Sequence, residues 1–180
     1  MSVCLRSIAA YLVTAACAVS FLSAACNAQE DGAFTTVILV RHAEKADVGD
    51  DPPLTDMGRQ RALALAHALG EVEVDVVYTT PYIRTRETAQ PLAELRALPV
   101  IAIPAESYAE RMATLIRSQH AGHIVVAVSH SNTVPALIEA LGAGPAPVID
   151  EDEYDDLYVV TIDAGGHATL LNLRYGPESP

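Results

Sequence analysis

Three short stretches of the chain gather arginine and histidine: Arg41-His42-Ala43-Glu44-Lys45, Thr79-Thr80-Pro81-Tyr82-Ile83-Arg84-Thr85-Arg86-Glu87-Thr88-Ala89, and Ser129-His130-Ser131-Asn132-Thr133. Each follows an apolar run that reads as a buried strand. A guanidinium offers a planar fork of donors that matches two oxygens of a phosphate. A neutral imidazole is a nucleophile toward phosphorus, and a phosphohistidine divides one difficult displacement into two easier ones. A second imidazole poised near neutral pH donates to the phosphoryl group and stabilises developing charge. Helix N-termini after such loops add backbone donors. No Gly-rich Walker loop is present, so side chains rather than a P-loop would hold the phosphate. Taken singly, His42 and His130 would read as core histidines satisfied by backbone groups; paired with Arg41 and Arg84 they read as a site. A metal centre built from His42, Glu44 and His130 is the competing chemistry, and it predicts inactivation by a chelator.

Ligands of open α/β sheets bind beyond the carboxyl ends of the strands, so the elements between these stretches decide whether they meet. Phe34 to Val40 is β-branched and apolar, a buried strand. Asp47 to Pro53 is an Asp/Gly/Pro loop. Thr55 is placed to cap a helix that ends at Gly70, with Ala62, Leu65, Ala66 and Leu69 as its buried stripe. Val74 to Thr79 is the second strand. A helix carries Arg84 to Leu98, and Pro91 inside it predicts a kink or a fresh start. Val100 to Ile103 is a short strand; Tyr108, Met112, Leu115 and Ile116 recur at helical spacing after it. Ile124 to Val128 is the most apolar strand, and Pro135 falls in the first turn of the next helix, where proline is tolerated. Gly142 to Pro147 breaks that helix. Leu157 to Ile162 and Ala168 to Arg174 are strands joined at Ala164-Gly165-Gly166, a hairpin signal. The alternation predicts an α/β fold with a mostly parallel sheet ending in an antiparallel hairpin.

At this point a family resemblance is visible. Leu39-Val40-Arg41-His42-Ala43-Glu44 resembles the arginine–histidine signature of the histidine phosphatase (phosphoglycerate mutase-like) superfamily. Arg84-Thr85-Arg86-Glu87-Thr88-Ala89 resembles its second arginine motif, and Ser129-His130-Ser131-Asn132 its second histidine motif. The motifs stand in family order over a domain spanning 34–180. The resemblance implies a three-layer sandwich, phosphorylation of His42, and a clamp of Arg41, Arg84 and His130 on the phosphoryl group; it implies no metal or organic cofactor. The chain departs from the pattern where many members carry glycine: Ala43 follows the first histidine and Ser131 the second. The region that carries a lid in larger members is short here. Glu106 is the nearest candidate for the proton donor of the family, and it also fits a surface carboxylate at a helix start. The compact lid makes the chain similar to small members acting on phosphohistidine.

Eleven Lys and Arg oppose 23 Asp and Glu, a formal net charge of −12, which excludes a nucleic-acid binder driven by phosphate neutralisation. A single lysine, Lys45, excludes polybasic membrane attachment. The hydrophobic fraction of 51% is partly due to the first 25 residues, which form a secretory leader: Arg6, an apolar run from Ile8 to Leu22, then Ser23-Ala24-Ala25-Cys26. The small residues before Cys26 also resemble a bacterial lipoprotein processing site, with Cys26 the lipidated residue, although Leu22 sits one position early. Lipidation at Cys26, plain cleavage with release, and an uncleaved anchor are the three outcomes, and each exports the domain to the periplasm or its membrane. A linker follows over 26–33. Cys4, Cys17 and Cys26 all belong to the leader or its end, so the domain carries no disulfide.

Other residues receive bland assignments. Glu44 orients a pocket arginine or the histidine ring, or is a helix-start charge; Lys45 extends the positive rim or is solvated. Asn132 presents its backbone N–H to phosphate or caps the following helix. Arg86 is kept out of the catalytic set, and His67, His120, His123 and His167 are given no role. The acidic run Asp150 to Asp156 is a solvated loop, with repulsion of polyanions as its functional alternative; it lacks the Gly and spacing of an EF-hand. The expected function is hydrolysis of phosphoric monoesters on a small phosphorylated substrate through a phosphohistidine. The alternatives are a protein phosphohistidine phosphatase and a non-catalytic phosphate-binding protein.

Overall fold

The computed structural model describes residues 34–179. The leader, Cys26 and the linker over 26–33 lie outside the described residues. Ten elements follow in chain order: β1 (Thr35–Arg41), α1 (Asp56–Ala68), β2 (Val76–Thr79), α2 (Ile83–Arg96), β3 (Val100–Ala102), α3 (Tyr108–Gln119), β4 (Ile124–Ser129), α4 (Thr133–Ala140), β5 (Asp156–Ile162) and β6 (Ala168–Arg174). The six strands form one sheet in the order β3-β2-β4-β1-β5-β6. β1 to β4 run parallel, β5 pairs antiparallel with β1, and β6 closes the edge as a hairpin with β5. The expected α/β architecture is the one found.

The central strands are apolar throughout because both faces are covered, as parallel strands require. Val37 and Leu39 of β1, with Val125 and Ala127 of β4, join the core beneath α3 and α4. Their alternates Ile38, Val40, Val126 and Val128 join a second core beneath α1 and α2. Two helix pairs thus sandwich the sheet, giving three layers. Thr55 caps α1 as its position predicts, accepting from the Gly58 N–H at 3.1 Å. Two expectations need correction. β2 begins at Val76, not Val74, although Val74 is buried. Pro91 does not start a fresh helix: α2 is one element from Ile83 to Arg96. The proline forfeits the bond to the Glu87 carbonyl, but Thr88, Ala89, Leu92 and Ala93 are all buried around it and hold the helix across that gap.

One glycine is dictated by packing. The start of α1 crosses the loop after β1 so closely that a Cβ on Gly58 would lie 2.3 Å from the Glu44 carbonyl oxygen. Both partners are backbone, so neither gives easily. Gly58→Ala is expected to lower stability by about 1–3 kcal/mol, read as a fall in the urea midpoint at unchanged m-value.

Candidate active site

β1 and β4 lie side by side in parallel register from Thr36↔Ile124 to Arg41↔Ser129. The ladder runs one step further, where the His42 N–H donates to the Ser129 carbonyl at 2.8 Å. On the other side of β4, Thr79 of β2 is level with Val128. From β1 the chain leaves through α1 toward β2, and it returns to β4 through α3 on the opposite face. The carboxyl ends of β1 and β4 are therefore the switch point at which such sheets place ligands. A pocket of about 370 Å³ opens there, and Arg41, His42, Arg84 and His130 all line it.

His42 is 4% exposed. Its Nδ1 donates to the Ala43 carbonyl at 2.8 Å, which leaves the Nε2 lone pair unprotonated, as a nucleophile needs. The loop is pinned from α2: the Ala43 N–H donates to Thr88 Oγ1 at 2.9 Å, and that hydroxyl donates to the Arg84 carbonyl at 2.7 Å. The Ala43 methyl packs with Leu54 and Ala62, so the residue that replaces glycine fills a small apolar cluster. His130 faces His42 with ring centroids 5.3 Å apart. Thr80 Oγ1 lies 3.0 Å from His130 Nε2 and 2.9 Å from Thr85 Oγ1, a hydroxyl chain that fixes the second ring. Burial, foremost, pushes His42 down to about 3, and the neighbouring His130, Arg41 and Arg84 push the same way against the Ala43 bond. His130 falls to about 4, again through burial first and then Arg84 and Arg41, with Asp51 opposing. Both imidazoles are neutral at neutral pH.

The two arginines are seated alike. Arg41, 6% exposed, donates from Nη1 to the carbonyls of Asp150 at 2.7 Å and Glu153 at 2.9 Å, and its Cζ lies 4.2 Å from the centre of the Tyr154 ring. Arg84 approaches Asp51 at 3.5 Å, and its Cζ lies 4.3 Å from the Tyr82 ring. Asp51 also accepts from the Ile83 N–H at 2.9 Å and so caps α2. The Nε atoms of Arg41 and Arg84 are buried and have no hydrogen-bond partner among the described residues. Each guanidinium is thus held by the protein while keeping a donor for an oxyanion.

Not every expected residue faces this pocket. Glu44 turns away and pairs with Arg61, which is fully buried: Arg61 Nη2 reaches Glu44 Oε1 at 2.7 Å and Nε lies 3.0 Å from both carboxylate oxygens. Glu44 therefore orients neither a pocket arginine nor the His42 ring, and a metal centre of His42, Glu44 and His130 loses its carboxylate. Glu106 is exposed, and its neighbour Ala105 lines the pocket in its place. Asn132 and Lys45 both line it, but the Asn132 side chain does not cap α4; Thr133 Oγ1 takes the His130 N–H at 3.0 Å instead. Tyr82, Tyr154, Thr80, Thr88 and Glu151 were not singled out by sequence. Tyr82 and the threonines sit within the quoted stretches, whereas Tyr154 and Glu151 lie inside an acidic run whose charge suggests only solvation.

The sequence profile of the histidine phosphatase superfamily (branch 1) matches residues 37–107. Phosphoserine phosphatase 1 of Hydrogenobacter thermophilus is 42% identical over 72 residues, 36% of this chain and 34% of that protein. The chain thus matches about a third of that relative's length. Among solved structures, the protein histidine phosphatase SixA complexed with tungstate superposes with a TM-score of 0.64 at 22% identity, over 77% of this chain and 96% of the other. A mycobacterial glucosyl-3-phosphoglycerate phosphatase gives 0.63 at 17% identity, over 79% and 98%. Phosphoglycerate mutase from Bacillus anthracis gives 0.62 at 15% identity, over 81% and 95%. The fold is the phosphoglycerate mutase-like one.

The neutral pocket histidines set an acid limit on stability. The unfolded chain protonates a histidine near pH 6.5, whereas folded His42 and His130 resist protonation down to about 3 and about 4. Their share of stability is complete above pH 6.5 and is lost as the pH falls through that window. The drop in unfolding free energy between pH 7 and pH 4.5 is expected to be about 2 kcal/mol smaller in His42→Asn than in the parent protein, measured by urea titration at both pH values.

Proposed function

We propose that the protein is a phosphatase that hydrolyses phosphoric monoesters through a phosphohistidine on His42. The observation that carries this is the meeting of two neutral imidazoles with two guanidiniums whose buried Nε–H groups lack protein acceptors among the described residues. Arg41 and Arg84 take the non-bridging oxygens, His42 Nε2 attacks phosphorus in line, and His130 supports the phosphoryl group from the facing side. Water then hydrolyses the phosphohistidine and releases inorganic phosphate. The natural substrate is a small phosphorylated molecule.

A second reading, action on phosphohistidine in proteins, is favoured by the brevity of the connection between β3 and α3. It runs only from Ile103 to Ser107, too short to fold over the pocket as a lid. Mutase activity is disfavoured by the same brevity, since little chain is available there to grip a second phosphate. The leader sequence from Arg6 to Cys26 supports export to the periplasm, with Cys26 as lipid attachment point or the domain set free by cleavage.

Turnover of p-nitrophenyl phosphate by the full chain, beside His42→Ala, tests the proposal. The substitution is expected to lower kcat/KM by more than about 10³-fold and to abolish an acid-labile, base-stable phosphoryl adduct. Equal turnover by both proteins discards the nucleophile. Tight vanadate binding without turnover by the parent protein assigns the pocket to phosphate binding alone, and faster turnover of a phosphohistidine peptide than of aryl phosphate selects the second reading.

A further inference from the structure

The phosphoryl transfer just described needs a proton for the departing oxygen whenever the leaving group is a poor one. From the placement of the acidic run at the pocket mouth we infer that Glu151, and not Glu106, is the proton donor; the inference rests on the phosphatase reading above. Among the described residues, Glu151 is the one acidic side chain lining the pocket that holds Arg41, His42, Arg84 and His130. Of the other carboxylates near the arginines, Asp51 is committed to Arg84 and to the first turn of α2, and Glu44 to Arg61. Glu106 and Glu151 are both exposed, but Glu106 does not line the pocket; its neighbour Ala105 does.

The segment carrying Glu151 is fastened to the catalytic machinery itself. Arg41 Nη1 bonds the carbonyls on both sides of it, at Asp150 and Glu153. Tyr154 covers the same guanidinium and lies 6.2 Å from the His42 ring, centroid to centroid. Arg174 ties the far end through Glu153 at 2.7 Å and Asp155 at 2.8 Å. Five consecutive residues are thereby held against the residue that binds phosphate. The carboxyl between the two carbonyl anchors keeps its side chain free: no protein group hydrogen-bonds it among the described residues, as a group that must give and take a proton requires.

The Glu151 O–H bond breaks and its proton passes to the bridging oxygen as the P–O bond breaks and the bond from phosphorus to His42 Nε2 forms. In the second half the Glu151 carboxylate takes a proton from the attacking water, whose oxygen bonds phosphorus while the P–N electrons return to Nε2.

Leaving-group dependence separates this role from a structural one. kcat/KM is measured for the full chain, Glu151→Gln, Glu106→Gln and His42→Ala on p-nitrophenyl phosphate, whose leaving group departs as a stable anion, and on benzyl phosphate, whose alkoxide needs a proton. Glu151→Gln is expected to lose about 10²-fold or more on benzyl phosphate and less than about threefold on p-nitrophenyl phosphate, with Glu106→Gln near the parent on both. Equal loss on the two substrates, no loss on either, a selective loss in Glu106→Gln instead, or a parent protein that leaves benzyl phosphate untouched would each overturn the assignment. Activity surviving in His42→Ala would instead overturn the nucleophile, so the two failures are told apart.

Discussion

Crowding of positive charge is the constraint from which the site follows. Two guanidiniums are set beside two imidazoles in one pocket, and a guanidinium does not shed its proton. The imidazoles, which do, stay neutral, through burial first and then through these neighbouring charges. The protein offsets Arg41 with uncharged partners, two backbone carbonyls and the Tyr154 face, and Arg84 with the Asp51 carboxylate and the Tyr82 face. A full countercharge against each would have neutralised the attraction for phosphate. As built, the pocket retains a positive field in a chain that is strongly acidic elsewhere, and that field defines where an anion is welcome.

The loop that delivers His42 is secured by a different interaction, remote from the chemistry. Arg61 of α1 buries its whole side chain against Glu44 and also donates from Nη1 to the Pro177 carbonyl at 2.7 Å. One guanidinium thus joins the segment after β1, the helix that packs on it and the end of the chain. Breaking such a pair from either side strands a buried charge, which is far costlier than the pair is favourable. The close passage of Gly58 over Glu44 serves the same junction. Residues two and more positions from His42 fix the loop that carries it.

How much of this the sequence discloses depends on the range of the interaction involved. The gathering of Arg41, His42, Arg84 and His130 was legible because ligands of an alternating α/β sheet bind beyond the carboxyl ends of its strands, and the strands and helices were legible because apolar periodicity is local. Thr55 was legible as a cap for the same reason. Pro91 misled because the gap it leaves is bridged by packing of Ala89, Leu92 and Ala93, which no local rule sees. Glu44 has several partners within reach along the sequence, and only the tertiary fold selects Arg61, which reads on paper as one more helix cation. Tyr154 and Glu151 sit in a run whose composition is that of a solvated loop; their place at the pocket arises from Arg41 reaching more than a hundred positions along the chain to the carbonyls beside them.

The tyrosine rings set against the two guanidiniums have a consequence for affinity. An arginine on an open surface must surrender the freedom of a long side chain when it grips an anion, and that entropic loss is subtracted from the binding free energy. Here Tyr82 and Tyr154 confine each fork before any anion arrives, so the ordering is completed during folding. What remains at the moment of encounter is largely desolvation and Coulomb attraction, and the pocket discriminates by shape and charge instead of by adapting to its guest.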